Sequence, residues 1–417
     1  MSTIQPEDLI HIRKEGDGDS MPSLEPYEPI DWKVFFVQDC NLRCGYCCTG
    51  FGRFGHQSGL MQPAVWKGLV SLILGMSANQ VRIGVGFGGG ETFLHFEETL
   101  QFLDLLRHLA AEKGVEVGAQ ITTNGTVATA QQLRACLERR ISLCFSIDGP
   151  APAHDSFRKF SGGRPTHRIA FENWQRYREL AGSVADAPGC EVSSVVAGDV
   201  RLPDIVRFWK EHGVPRFKAI PAEPSHYLGR RDLQDWETRR ARYLEDLRDF
   251  AFSEATRLQG RDFEKYFEGP VGILDSWQRL NRVAPFRSCG AGYELIAVDA
   301  DGAVFPCQGF IGQPARSIGN VKTGVVPAKL AEFRIARSRV RSSCNGCWAR
   351  FLCDGGCCAG DPATGVVLDQ WNGCQFTHAH VDIAVQSYHH WRDHRSVESE
   401  SGMTGLRCAA SPIGDSL

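Results

Sequence analysis

The chain has 417 residues, 42% hydrophobic content and a formal net charge of -3. That length allows a large core plus a second module, and the charge shows neither a basic excess for nucleic acid nor a like-charged block for a tail partner. Residues 1–20 are polar and no run of about 18 apolar residues occurs, so neither a signal peptide nor a membrane span is expected, and the chain reads as cytoplasmic.

Residues 1–30 are rich in Pro, Asp and Gly and read as a loose lead-in. A strand-helix alternation follows. Strands are expected at 32–37, 81–87, 115–122, 141–146, 190–196 and 217–220, and helices at 63–77, 97–112, 129–139, 167–181 and 203–212. Leu100, Leu103, Leu106 and Leu109 keep helical spacing in the second helix. Six such units predict an α/β fold: a parallel sheet closed or partly closed as a partial (β/α)6 TIM-like barrel over 31–230. Sites of such sheets lie where strands end and loops begin. Residues 232–258 read as a long charged helix within a helical bridge, 231–284. From 285 to 380 the chain turns to short strands, with a hairpin signal at Asp301-Gly302, and 381–417 reads as a tail.

Sixteen cysteines without a secretory signal favour metal or redox chemistry over a disulfide scaffold. Cys136, Cys144 and Cys190 lie among apolar residues and read as core thiols. Cys40, Cys44 and Cys47 end the first strand in a Cys-x3-Cys-x2-Cys spacing. Closed zinc sites and ordinary cubane clusters take four protein ligands, so three thiolates leave one metal corner open. A zinc loop with a distant fourth ligand is the alternative; Cys48 is a spare thiolate, but adjacent cysteines rarely share an ion. Gly89-Gly90-Glu91 ends the second strand, where glycines admit close backbone approach and Glu91 offers a carboxylate to a cation. Gly84, Gly86 and Gly89 also satisfy G-x-G-x-x-G. They fall inside a strand rather than between strand and helix, which argues against a dinucleotide site. Thr123, Asn124, Ser146 and Asp148 end the next two strands, with groups able to bond ribose and carboxylate oxygens.

With Tyr46 before its last cysteine, the triplet resembles the signature of the radical S-adenosylmethionine (SAM) superfamily. Gly89-Gly90-Glu91 resembles that family's Gly-Gly-Glu-Pro motif, with Thr92 in place of proline. The resemblance implies a catalytic [4Fe–4S] cluster on Cys40, Cys44 and Cys47, whose open iron is chelated by SAM. It implies SAM contacts at Gly89, Gly90, Glu91, Thr123, Asn124, Ser146 and Asp148. His154-Asp-Ser-Phe-Arg158 continues the likeness, with Arg158 or Arg164 as partner of the SAM carboxylate.

Cys344, Cys347, Cys353 and Cys357, with Cys289, Cys307 and Cys374, are similar in spacing to the SPASM domain, a Cys-rich extension of radical SAM enzymes. This resemblance implies two auxiliary [4Fe–4S] clusters. Cys344, Cys347, Cys353 and Cys374 would hold the outer one, and Cys289, Cys307 and Cys357 the inner one. Sulfatase-maturing relatives have a further cysteine just upstream; residues 281–287 have none. The inner cluster would then have an open iron or a distant fourth ligand. Five histidines between His378 and His394 read as a polar helix face.

The two likenesses cover residues 33 to 380 and imply a peptide-modifying enzyme. A 5′-deoxyadenosyl radical would take hydrogen from a ribosomally made precursor peptide, and an intrapeptide cross-link would form. Formylglycine formation on Cys or Ser is the second expectation. An iron–sulfur electron carrier or scaffold is a third, which an ammonium site at Glu91 argues against. Expected partners are the precursor peptide, a reductase or a flavodoxin or ferredoxin donor, and a separate leader-recognition protein. No nucleic acid or membrane is expected.

Overall fold

The computed structural model describes residues 31–55, 59–77, 79–185, 187–214, 217–222, 233–257, 290–342, 346–349, 359 and 373–402. The expected lead-in lies outside these residues, as does the bridge beyond 257.

Along the chain come β1 (Asp31–Val34), the short β2 (Val37–Gln38) and β3 (Gly59–Leu60), and α1 (Pro63–Met76). Then follow β4 (Arg82–Phe87), α2 (Phe96–Ala111), β5 (Glu116–Thr123), α3 (Ala130–Glu138) and β6 (Ile141–Ser146). Next are α4 (Ala151–Phe157), α5 (His167–Ala181), β7 (Cys190–Val196), α6 (Leu202–Glu211), β8 (Lys218–Pro221) and α7 (Leu233–Arg257). The strands β1, β4, β5, β6, β7 and β8 lie side by side and parallel, the partial barrel expected from the alternation.

Local chemistry explains the helices. α6 buries Leu202, Ile205, Val206 and Trp209, one stripe of a 3.6-residue period. α3 starts at a capping box, in which Thr129 and Gln132 satisfy each other's backbone amides. α2 buries Leu100, Leu103 and Leu106 as the spacing predicted. It also buries Phe102, whose ring lies 5.8 Å from Phe36 and 5.9 Å from Phe87.

Burial alternates on β4. Ile83, Val85 and Phe87 are buried, whereas Gly84 and Gly86 face the other way. A Cβ on Gly86 would stand 2.8 Å from Lys33 Nζ. The glycines inside this strand therefore make room for side chains of β1. Lys33, Gln120, Ser142, Glu191 and Lys218 alternate with the buried positions, so this inner face of the sheet is largely polar, although Cys144, Val195 and Ile220 share it. Lys218 pairs with Glu191 at 3.2 Å.

Two differences from expectation matter. The first strand stops at Val34 rather than 37, because Val37 leaves it to pair with Leu60 in a separate two-stranded sheet. The short helix α4 begins after Pro150 without a longer apolar period to announce it.

The region after 290 extends the same sheet. β9 (Leu295–Val298) pairs parallel to β1, from Asp31 with Leu295 to Val34 with Val298. β10 (Ala303–Phe305) returns antiparallel across the expected Asp301-Gly302 turn, where Gly302 has φ 85°. β11 (Gly319–Asn320) and β12 (Gly324–Val325) complete a ten-stranded sheet. α8 (Pro327–Ser342) follows. α9 (Gly373–Gly402) crosses residue 381, the expected start of the tail, and packs Phe376 against Tyr243 of α7 at 6.2 Å. No described helix is long and apolar enough to cross a membrane.

Candidate active site

The cysteine loop leaves β2 and is stitched to the segment after α4. Arg43 N–H bonds Lys159 O at 2.7 Å, Gly45 N–H bonds Phe157 O at 3.0 Å, and Leu42 bridges Phe160. Beyond Cys48 the chain winds tightly, with positive φ at Gly50, Phe51, Gly52, Phe54 and Gly55. That winding turns the Phe51 amide back onto Cys47 Sγ at 3.1 Å. The Leu42 amide donates to Cys40 Sγ at 3.4 Å, and Asn124 Nδ2 approaches the same sulfur at 3.7 Å. Cys44 is buried, Cys40 and Cys47 are partly buried, and Cys48 is exposed.

Burial, then the nearby Glu91 carboxylate, pushes the Cys40 thiol up to about 12. Burial pushes Cys44 up to about 11, against the charge of Arg158. Such thiols need an added positive charge to ionise, which a bound metal would supply. Among the described residues no three Cys, His, Asp or Glu groups are close enough to share one metal ion. Separated thiols suit a cluster in which each iron takes one thiolate.

Gly89, Gly90 and Glu91 pack on this loop. Glu91 N–H bonds Asp39 O at 2.8 Å, and Thr49 Oγ1 bonds Gly89 O at 3.1 Å. A Cβ on Gly90 would meet Asp39 O at 2.1 Å; one on Gly89, at φ 95°, would meet the Phe35 ring at 2.1 Å. The Glu91 side chain is buried. Its Oε1 accepts from the Phe93 amide (3.2 Å) and Thr123 Oγ1 (2.8 Å), and Oε2 accepts from the Asn124 amide (2.7 Å). Burial raises its pKa against these three bonds. A carboxylate offers about four acceptor positions, so one remains on Oε2 for a cationic donor. Thr123 and Asn124, expected here from the sequence, thus meet Glu91 and Cys40 at one point. Ser146 closes β6 beside Ser193 of β7.

Asp148 and Arg158 are brought together as a buried pair, Arg158 Nε to Asp148 Oδ2 at 2.9 Å. The Tyr46 hydroxyl donates to the same carboxylate oxygen, and the Val195 amide donates to Oδ1 at 2.8 Å. Burial opposes the Arg158 charge, but Asp148 keeps it firmly protonated. Arg164 stands apart, exposed, with its guanidinium 5.1 Å from the Phe160 ring. Thr49, Phe51 and Thr166 carry no individual signal along the chain and act through folded geometry. His154 was visible only as part of a family-like segment.

Of the downstream cysteines, Cys307 is buried in a small apolar cluster with Phe35, Phe54 and Phe310. Cys347 Sγ lies 3.1 Å from His378 Nε2 on α9, so this histidine is not simply part of a polar helix face. Cys374 falls in the first turn of α9. Cys289, Cys344, Cys353 and Cys357 lie outside the described residues, as does the stretch 281–287. Cys136 and Cys190 sit in or against the main core, where burial pushes both up to about 12, whereas Cys144 is buried on the other face of β6, level with Glu191, and is pushed up to about 11.

Residues 34–190 match the model of the radical SAM superfamily. The chain is a radical SAM enzyme. Its chemistry therefore uses SAM and a [4Fe–4S] cluster. It is 25% identical over 339 residues to the cysteine-type anaerobic sulfatase-maturating enzyme of Clostridium perfringens, spanning 76% of this chain and 85% of that relative. Its fold is similar to native anSMEcpe with bound AdoMet and Cp18Cys peptide. The TM-score is 0.68 at 19% identity, covering 89% of this chain and all of that one (100%). Streptococcus suis SuiB bound to S-adenosylmethionine is similar at a TM-score of 0.51 and 17% identity, over 82% of this chain and 77% of SuiB.

Proposed function

We propose that this radical SAM enzyme is a peptide maturase that forms an intrapeptide cross-link (C–C, C–O or thioether) in a ribosomally made precursor. The observation that carries the reading is the meeting of the three-thiol loop with Glu91 and Asn124 at the ends of β1, β4 and β5. Cys40, Cys44 and Cys47 hold the cluster, and Glu91 takes the SAM ammonium on its remaining acceptor position. Gly89 and Gly90 bring backbone against the same loop. Thr123, Asn124, Ser146 and Asp148 would contact SAM, with Arg158 or Arg164 as the partner of its carboxylate. When bound, the cluster and SAM supply a radical that removes hydrogen from an unactivated C–H bond. The protein's part is to orient SAM and substrate and to exclude groups that would quench that radical. The polar inner face of the sheet suits a peptide backbone, whose amides need partners.

Cys344, Cys347, Cys353 and Cys374 make an outer auxiliary cluster, and Cys289, Cys307 and Cys357 an inner one, over a module from 285 to 380. A substrate radical that closes a new bond must lose an electron, and these clusters give it a path. An electron donor of the flavodoxin or ferredoxin class recharges the first cluster, and a separate protein presents the leader.

Formylglycine formation is the second reading, favoured by the 25% identity to a sulfatase-maturating enzyme. The test is anaerobic reaction of reconstituted protein with dithionite, SAM and candidate peptides, read by mass spectrometry. A cross-link removes two hydrogens and leaves no aldehyde. Formylglycine is trapped by a hydrazide. Deoxyadenosine with trapped aldehyde and no cross-link would overturn the first reading in favour of the second.

A further inference from the structure

Beyond the cysteine loop, four residues close a ring of hydrogen bonds. The Asp148 amide donates to His154 Nδ1 (3.2 Å), and His154 Nε2 lies 3.0 Å from Thr166 Oγ1. The Thr166 hydroxyl donates to the Arg158 carbonyl (2.7 Å), and Arg158 Nε returns to Asp148 Oδ2 (2.9 Å). The directions are forced. An amide only donates, so Nδ1 accepts and carries no proton. Nε2 then holds the imidazole hydrogen and donates to Thr166, whose own hydrogen goes to the Arg158 carbonyl. Burial, then the Arg158 charge, pushes the His154 pKa down to about 3, which agrees with a neutral ring. All four residues are buried: Asp148 1%, His154 0%, Thr166 1% and Arg158 8% exposed. Asp155 Oδ1 pins the far side, accepting from the Thr166 and His167 amides at 2.8 Å each.

The ring meets the cysteine loop at Tyr46 and Cys44. The Tyr46 hydroxyl donates to Asp148, the Arg158 guanidinium lies 5.4 Å from the Tyr46 ring, and at the Cys44 sulfur the Arg158 charge outweighs the opposing charge of its partner Asp148. We infer that His154 and Thr166 are positioning residues, acting through Asp148 and Arg158 to hold Tyr46 and one fixed positive charge against the loop of Cys44. The inference rests on the assignment of that loop to the SAM-cleaving cluster. A positive charge beside a cluster thiolate favours the reduced, more negative cluster. Charge and hydrogen bonding around the sulfurs set such potentials. Opening the ring frees the buried pair to shift, although neither member of the pair is itself changed.

The test uses the cluster-loaded full chain under anaerobic conditions. Thr166→Val removes the hydroxyl at nearly constant volume, and Thr166→Ser restores it. The readouts are iron content, melting temperature, SAM affinity, and the midpoint potential of the paramagnetic signal that responds to SAM. Thr166→Val should retain iron, shift that potential to more negative values, and weaken SAM binding about 2- to 10-fold, the effect of one lost hydrogen bond. Thr166→Ser should match wild type. A Thr166→Val protein that melts earlier with unchanged potential and SAM affinity would make the ring mere scaffold and overturn the inference. Should Thr166→Val not fold, His154→Asn decides the matter: it keeps an acceptor for the Asp148 amide but cannot reach Thr166. The same shifts are expected there, and an unchanged potential overturns the inference. Wild-type protein with no SAM-responsive signal would overturn the assignment of the loop, and this inference with it.

Discussion

Gly90 and Asp39 touch backbone to backbone: a Cβ on Gly90 would stand 2.1 Å from the Asp39 carbonyl oxygen. The same carbonyl accepts the Glu91 amide at 2.8 Å. The loop after β4 and the loop that carries the cysteines are thereby held directly against each other. Gly90→Ala must push them apart, since the obstruction is backbone and cannot rotate away. The expected outcome is near-complete loss of SAM binding, with a stability loss of about 1–3 kcal/mol typical of overpacking. Isothermal titration with SAM and a denaturant melt check it.

Glu91→Gln keeps the shape of the side chain but replaces one oxygen by a donor. SAM binding should weaken by about 1.5–3 kcal/mol, the range for a hydrogen bond to a charged group. Iron content should not change. The amide nitrogen would also face the Asn124 N–H or the Thr123 hydroxyl, so a lower melting temperature should accompany the effect. Unaltered SAM affinity would return Glu91 to a purely structural role.

Cys40→Ala, Cys44→Ala and Cys47→Ala should each abolish 5′-deoxyadenosine formation while iron persists in the downstream module. Two thiolates cannot hold a cubane that reserves one corner for SAM. Chromatography of reaction mixtures beside iron analysis measures both. SAM cleavage by the triple variant would refute the cluster assignment.

Cys374→Ala should separate two activities. On the proposed assignment the outer auxiliary cluster would lose a ligand, whereas the proposed SAM site uses other residues. Deoxyadenosine should still form, with little or no modified peptide. Both products are scored in the same tubes, and full product yield would show that the outer cluster has no oxidative role.

His154 makes stability depend on pH. Its folded pKa is lowered to about 3, below the ordinary histidine value of about 6.5. Between those values the unfolded chain binds a proton that the folded chain does not. Stability therefore rises with pH across this window and is lost as pH falls from 6.5 towards 3, by at most about 1.4 kcal/mol per unit from this one group. The groups that act on it are Arg158 and His167, which disfavour protonation, and Asp155, which favours it. Urea midpoints at pH 5, 6 and 7 should fall more steeply for wild type than for His154→Gln. Equal slopes would place the pH dependence elsewhere.

The sequence alone determined what depends on neighbours along the chain. Strand and helix periods located β4 to β8 and the helices between them, the short α4 excepted, to within a residue or two, because burial on one face follows directly from residue spacing. The cysteine triplet and Gly89-Gly90-Glu91 were legible for the same reason: their function demands a local spacing. Tertiary structure decided the rest. Whether β9 pairs with β1 depends on two segments more than 250 residues apart, and parallel pairing leaves no turn signal between them. The Asp148-His154-Thr166-Arg158 ring joins a strand end, a short helix and the loop beyond it, and no one of those residues announces a partner. The sequence offers Arg158, with Arg164, as a partner of the SAM carboxylate, but only burial beside Asp148 shows where its charge is held. Hydrogen bonds in a buried network are chosen by which groups lose water together, and that is settled only when the chain has folded.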